Sequence, residues 1–427
     1  MLTRPQHAVI ENAPCPHLPA TRREFLALSA RAAGLLAFSR FAPSFLVDSA
    51  RAGAAVPAKD RRVLVLVQLA GGNDGLNTVV PFEDDDYYRL RPTLGIPKAQ
   101  ALRIEEGLGL HPACAALHRL FGDGNLAVVQ NVGYPNPNRS HFRSTEIWET
   151  ASDSGSFLST GWVGRYLDNA CPGAAAPRDP VAVHANTLNG EPETFVGAAQ
   201  HPTFGLSPYG GGPRERAEAR RLLEGMAAAP GESGPEDGCL KQVIMDSRVA
   251  EEKVHRVLDA NRPEAVYPAH PFAASLRNIG ALIAAGLPTR VYFATLNGFD
   301  THTGQLATHA RLLKVLSDSL AAFQKDLEAR KLDGQVVTMT FSEFGRRASE
   351  NQSRGTDHGT ASPLFVLGSA VRAGLHGSAP SLKIPRNQDV AFGTDFRCVY
   401  ATMLEDWLGC PSEPVLFGKF AKLSLVV

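Results

Sequence analysis

Residues 62–69 read Arg-Val-Leu-Val-Leu-Val-Gln-Leu, a near-continuous apolar run without alternation. A strand with one wet face alternates polar and apolar side chains. One that does not is buried on both faces, the mark of a mostly parallel sheet with helices on either side. The run ends in Ala70-Gly71-Gly72-Asn73-Asp74-Gly75, where paired glycines let the backbone turn and set Asn73 and Asp74 beyond the carboxyl end of the strand. That end is where open α/β sheets bind their ligands. The same arrangement recurs. Residues 289–296 are β-branched and aromatic, bounded by Pro288 and Gly298, and lead into Asn297-Gly298-Phe299-Asp300-Thr301-His302. A strand over 334–341 runs into Ser342-Glu343-Phe344-Gly345-Arg346-Arg347, and one over 125–132 into a turn-rich loop with Ser140 and His141. Thr356-Asp357-His358-Gly359 precedes a further apolar strand at 363–367.

Between these strands, residues 305–330 carry leucines at helical spacing, and 113–121, 144–151 and 395–409 also read as helices, the last with Asp395 as its N-terminal acid. Residues 87–110, interrupted by Pro92 and Pro97, predict a loop, and 181–184 and 194–196 predict short strands. From about 197 to 288 the chain turns charged and helical, broken by a Gly/Pro/Ser segment at 229–238, which predicts an inserted helical cap. His184, His201, His255 and His270 lack a partner at ligand spacing, so each is expected on the surface or in the core. Ser140 is expected near a helix N-terminus, where free N–H groups favour an anion, and its hydroxyl serves either as a cap or as a nucleophile. Ser144, one turn later, better fits a capping or interior role. Glu343 is either an exposed acid, a group paired with the following arginines, or a ligand.

With 427 residues the chain exceeds the usual size of one hydrophobic core, and one large elaborated domain over 53–427 is expected. Lys plus Arg and Asp plus Glu both count 43, so no overall field draws nucleic acid. The six cysteines show no C-x-x-C and no metal-ligand spacing, and no disulfide framework can be read from them. Thr21-Arg22-Arg23-Glu24-Phe25-Leu26, a moderately apolar run and Ala50-Arg51-Ala52 occur in the order of a twin-arginine export signal over 1–52. Such export carries folded proteins to the periplasm or beyond. No run elsewhere approaches the length of an integral membrane span.

Collected, the junctions supply Asp74, Ser140, His141, Asp300, His302, Glu343, Asp357 and His358. Mixed Asp and His ligands suit zinc, manganese or iron, and carboxylates alone would suit magnesium or calcium. Metal-assisted hydrolysis is the chemistry expected, because a pair of such ions can stabilise both the attacking and the leaving oxygen of an ester.

The motifs LAGGNDGLN, SHFRSTEIWE, NGFDTH, FSEFGR and GTDHG, with the twin-arginine segment, resemble the domain of unknown function 1501 family over nearly all of residues 53–427. That family is similar in fold to the alkaline phosphatase and sulfatase superfamily. The resemblance implies a three-layer sandwich with a mostly parallel central sheet. It implies one metal, zinc first, held by Asp74, Asp357 and His358, and a second by Asp300 and His302. The spacing of that second pair is Asp-x-His where alkaline phosphatases have Asp-x-x-x-His, and His376 and His309 are the histidines left to complete it. The nucleophile falls at Ser140 or Ser144, and without C-x-P-x-R a formylglycine sulfatase is disfavoured. An exported hydrolase of small anionic phosphate or sulfate esters is the function implied. The alternative is a periplasmic binding or scaffold protein that kept the fold without the chemistry.

Overall fold

The computed structural model describes residues 62–169, 182–185, 192–197, 203–206, 256–287, 289–386 and 388–427. The export segment and most of the expected cap lie outside the described residues. The strands, in chain order, are β1 Val63–Ala70, β2 Val79–Val80, β3 Leu102–Glu105, β4 Leu108–Leu110, β5 Leu126–Gly133, β6 Ala182–Ala185, β7 Thr203–Leu206, β8 Val291–Asn297, β9 Val336–Phe341, β10 Ser362–Leu367, β11 Gly374–His376 and β12 Thr394–Asp395. The helices used below are α1 Asp85–Leu90, α2 Ala115–Gly122, α3 His141–Thr150, α4 Trp162–Asp168, α5 Pro271–Ala284, α6 Gln305–Ala329 and α7 Phe396–Thr402.

Among the described residues the main sheet has nine strands in the order β11-β5-β10-β9-β1-β8-β6-β7, with β12 pairing β5. All pairs are parallel except those of β10, which runs against β5 and β9. β1 lies at the centre, and its side chains divide between two cores. Leu64 and Leu66 point to one face, packed with Trp148 of α3, Trp162 of α4 and Tyr400 of α7. Val63, Val65, Val67 and Leu69 point to the other, with Leu117 of α2, Leu276 of α5 and Leu313 and Leu320 of α6. This two-sided burial is why the run lacks alternation, and it makes the fold a three-layer, mostly parallel α/β sandwich, as expected. Registers pairing Ala70 with Asn297 and Gln68 with Phe341 bring the ends of β1, β8 and β9 level, so their exit loops meet.

Several expectations are corrected. Residues 87–110 are no plain loop: α1, capped by Asp84, runs on to Leu90, and β3 and β4 join β2 in a small separate sheet. These elements have two to six residues, too few to show a period. Residues 194–196 are no strand; after Pro192 a 3-10 turn covers Glu193–Phe195 and packs Phe195 against Phe293. The last helix is α-helical only to Thr402, then widens to a π turn over Met403–Trp407, closed by Leu408 N to Met403 O at 2.9 Å. Asp395 does cap α7, accepting from Arg397 N. At the end of the region read as a cap, α5 packs against β8 and α6, and His270 caps its first turn. Cys114 and Cys398 are free thiols, whereas Cys410 is disulfide-bonded.

Glu149 on α3 is buried, accepts from Thr194 N at 3.2 Å, and is pushed up to about 7 by desolvation. A carboxyl raised in the folded state keeps a proton that the unfolded chain has lost, so stability falls as pH rises from about 4.5 to about 7. Glu149→Gln removes that drop. Relative to the parent, the variant should gain about 2 kcal/mol between pH 5 and pH 8, read from urea unfolding; a pH-independent difference would show that Glu149 titrates normally.

Candidate metal centre

Four segments meet at the carboxyl edge of the sheet: the loop after β1, the start of α3, the β8–α6 loop and the stretch between β9 and β10. Gly71 makes the meeting feasible. Its φ is +116°, and a Cβ there would stand 2.3 Å from the Asp300 backbone nitrogen. Gly355 likewise lies against the His302 backbone, where a Cβ would be 2.2 Å from its carbonyl carbon. Side chains at either position would push the segments apart.

Three imidazoles converge, and each is held from behind. His141 Nδ1 lies 2.9 Å from Glu343 Oε1, His302 Nδ1 lies 3.2 Å from Asp357 Oδ1, and His358 Nδ1 lies 2.8 Å from the Arg139 carbonyl. Carboxylate and carbonyl oxygens accept, so Nδ1 donates in each ring and Nε2 of the neutral imidazole carries a bare lone pair. All three Nε2 atoms turn inward. Those of His302 and His358 are 2.9 Å apart, and Asp300 Oδ1 stands 3.0 Å from His302, 3.2 Å from His358 and 3.6 Å from His141. His141, Asp300 and His358 form the group of metal-ligand character among the described residues, and His302, outside that group, lies against two of its members, Asp300 and His358.

Facing lone pairs beside a carboxylate repel unless a proton or a cation lies between them. Donors about 2.0–2.2 Å from a tetrahedral ion stand about 3.3 Å from one another, close to the separations found, so the donor set fits a divalent cation. Phe344 walls the site, its ring centroid 4.9 Å from that of His141 and 4.6 Å from that of His358.

Electrostatics prepare the same state. Burial pushes the Asp300 carboxyl up, but the bond and the charge of Arg346 oppose it, and the carboxyl stays below the ordinary carboxylate range. Asp357 is held low chiefly by the Asn351 amide, 3.1 Å away. Burial lowers His358, which keeps it neutral, whereas the bond to Glu343 raises His141. A cation therefore competes with a proton more at His141 than at His358.

The residues singled out in the sequence divide between roles. Asp300, His302, His358 and His141 come together. Asp357 and Glu343 stand behind them, aimed at imidazoles; Glu343 Oε1 also accepts Gly71 N at 2.8 Å and is not paired with the arginines that follow it. Asp74 is spent elsewhere: its carboxylate is buried and accepts from Arg91 Nη1 at 2.6 Å and from Gln305 Nε2. His309 is buried and bonded to Asn73 at 3.0 Å, and His376 bonds the Arg372 carbonyl. Ser144 is buried, bonded to Tyr134 at 2.6 Å and to the Glu343 carbonyl. Ser140 is exposed at the start of α3, and its hydroxyl makes no cap hydrogen bond.

Sequence reasoning missed Arg346 as a site residue. Its buried guanidinium donates to the carbonyls of Gly71, Gly72, Phe299 and Thr356 and, at 2.6 Å, to Asp300 Oδ1. Only its place in FSEFGR pointed to it. Arg91, read as part of a loop, was missed as well.

Residues 219–412 match the family described as "Protein of unknown function (DUF1501)", a stretch that takes in Asp300, His302, Glu343, Asp357 and His358. The family resemblance holds over residues 219–412. No curated protein matches. The chain is similar to several solved structures. The lipoteichoic acid synthase LtaP from Listeria monocytogenes is 10% identical over 88% of this chain and 81% of that one, with a TM-score of 0.39. The C-terminal periplasmic domain of EptC from Escherichia coli, in complex with Zn, is 12% identical over 72% and 73%, with a TM-score of 0.37. A protein in the alkaline phosphatase superfamily from Vibrio parahaemolyticus is 10% identical over 80% and 73%, with a TM-score of 0.34. These are likenesses of chain path, and they bring no residue or reaction to this protein.

Proposed function

We propose that the protein is an exported, metal-dependent hydrolase of phosphate or sulfate esters, with a single divalent cation held by Nε2 of His141, His302 and His358 and by Asp300. The observation that carries this reading is the set of three imidazoles whose Nδ1 atoms lie against oxygens while their Nε2 atoms lie 3.0–3.6 Å from one Asp300 carboxylate oxygen. Three nitrogens and one oxygen suit zinc, with manganese or iron as alternatives. When bound, such a cation supplies positive charge to the oxygens of the ester. Glu343, Asp357 and the Arg139 carbonyl fix ring orientation and tautomer, the outer-partner role common around metal-binding histidines. Arg346 keeps Asp300 ionised and in place. In place of the two-cation division that the resemblance implied, Asp74 belongs to an ion pair and Asp357 to the support of His302. The disulfide at Cys410 suits the oxidising compartment to which an export signal would lead.

Ser140 is the nucleophile in this reading, because it is exposed, uncommitted to capping and adjacent to His141. With zinc- or manganese-loaded protein and a panel of aryl phosphate mono- and diesters and aryl sulfates, Ser140→Ala should lower turnover by two orders of magnitude or more, with metal content and Tm unchanged. Unchanged turnover in the variant would take serine out of the reaction. No turnover of any ester by fully loaded parent would favour a periplasmic binding or scaffold protein, a reading supported by the pairing of Asp74 with Arg91, which leaves one cation position where two were expected.

A further inference from the structure

Behind the metal centre lies a polar cluster that touches none of its donors. Gln305 opens α6, after Gly304 at φ +53°, and its side chain is fully buried. Its Oε1 accepts two hydroxyls, Thr301 Oγ1 at 3.1 Å and Thr356 Oγ1 at 2.6 Å, and its Nε2 donates to Asp74 Oδ2. Thr301 sits between Asp300 and His302, and Thr356 directly precedes Asp357 and His358. One amide thus joins the two loops that bring three of the four donors. Asp74 is in turn fixed by Arg91, whose guanidinium also bonds Asn77 Oδ1 at 2.7 Å and the carbonyls of Ala348 and Arg347 at 2.9 Å each. Arg347 N returns to the second loop through Asp357 O at 2.9 Å.

We infer that Gln305 is a positioning residue that sets the separation between the Asp300/His302 loop and the Asp357/His358 loop, with the Asp74–Arg91 pair as its anchor. This rests on the metal reading above. The Nε2 atoms of His302 and His358, 2.9 Å apart, belong one to each loop. The role of Asp74 is then to orient an amide, and its burial without contact to an imidazole of the centre follows from it.

Zinc affinity by chelator competition and the visible absorption of the cobalt(II)-loaded protein, which reports coordination geometry, test the inference on the full chain. Gln305→Met keeps the volume and removes all three bonds; Thr356→Val removes one hydroxyl, and Thr356→Ser retains it. Gln305→Met should weaken zinc binding 10–100-fold and change the cobalt spectrum. Thr356→Val should do so less, and Thr356→Ser should match the parent. If Gln305→Met and Thr356→Val only lower Tm while zinc affinity and cobalt spectrum stay as in the parent, Gln305 is structural and the inference is overturned. A parent that retains neither zinc nor cobalt overturns the metal reading and this one together, an outcome distinct from parent-like variants. Should Gln305→Met fail to fold, the contrast between Thr356→Val and Thr356→Ser decides alone, and equal affinities in that pair overturn the inference.

Discussion

His358→Ala should leave the purified protein without bound divalent metal under conditions where the parent retains it, and weaken zinc binding at least about 100-fold. The size follows from what His358 supplies. Its Nε2 is 2.9 Å from that of His302 and 3.2 Å from Asp300 Oδ1, so its removal takes one of four donors and opens the site on the Arg139 side. Structural zinc sites hold their ion by roughly 10–16 kcal/mol over four ligands, about 3 kcal/mol for each. A residue behind the donors is worth less: Glu343→Gln, which weakens the bond orienting His141, should cost about 10–100-fold. Elemental analysis of protein purified from cells and competition titration read both variants. Equal metal content in parent and His358→Ala, or a larger loss from Glu343→Gln than from His358→Ala, would refute the donor assignment.

The second large effect is on stability. Arg91→Met should cost about 3–5 kcal/mol, because it leaves the Asp74 carboxylate buried and without its charge partner. Both side chains of the pair are fully buried, and Asp74 Oδ1 already lacks a partner among the described residues. Burial acts to raise the Asp74 carboxyl, but Arg91, His309 and Gln305 together bring it below the ordinary value. Its contribution to stability is therefore present above the unfolded carboxyl range and lost as pH falls through the lower folded value. Converting Asp74 to Leu in the Arg91→Met background should recover a substantial part of the loss, since two apolar groups need no pairing. Urea unfolding of metal-free protein measures this free of any contribution from the cation. A loss under about 1 kcal/mol would mean that water reaches Asp74.

The strands and the junctions after them were readable because a doubly buried strand needs apolar residues at every position, and the glycines of the exit loops are set by backbone geometry. The composition of the metal centre was less so. Spacing says that Asp300 and His302 share a loop; whether a side chain faces a cation or a neighbour depends on contacts across the fold, such as Gln305 to Asp74, 231 residues apart. Asp74 stands where the resemblance places a ligand, but Arg91, 17 residues later in a stretch read as loop, claims its charge. The sequence places His141 beside Ser140 without a role and leaves Glu343 three; only the arrangement of the rings sorts them. The small sheet of β2, β3 and β4 was hidden by strands too short for alternation to be counted.

The four proposed donors come from positions 141, 300, 302 and 358, one on a helix after β5 and the others after β8 and β9. No contiguous fragment of the chain short of this span holds them, so in the proposed centre an ion would bind only once the central strands have assembled. Under the proposed twin-arginine export, which carries folded proteins, the metal would be chosen in the cytoplasm, before departure, from whatever ions the cell keeps loosely held there. Metal identity would then follow the cell's internal supply more than the chemistry of the medium in which the protein works, and the same gene expressed in two hosts would yield two differently loaded proteins.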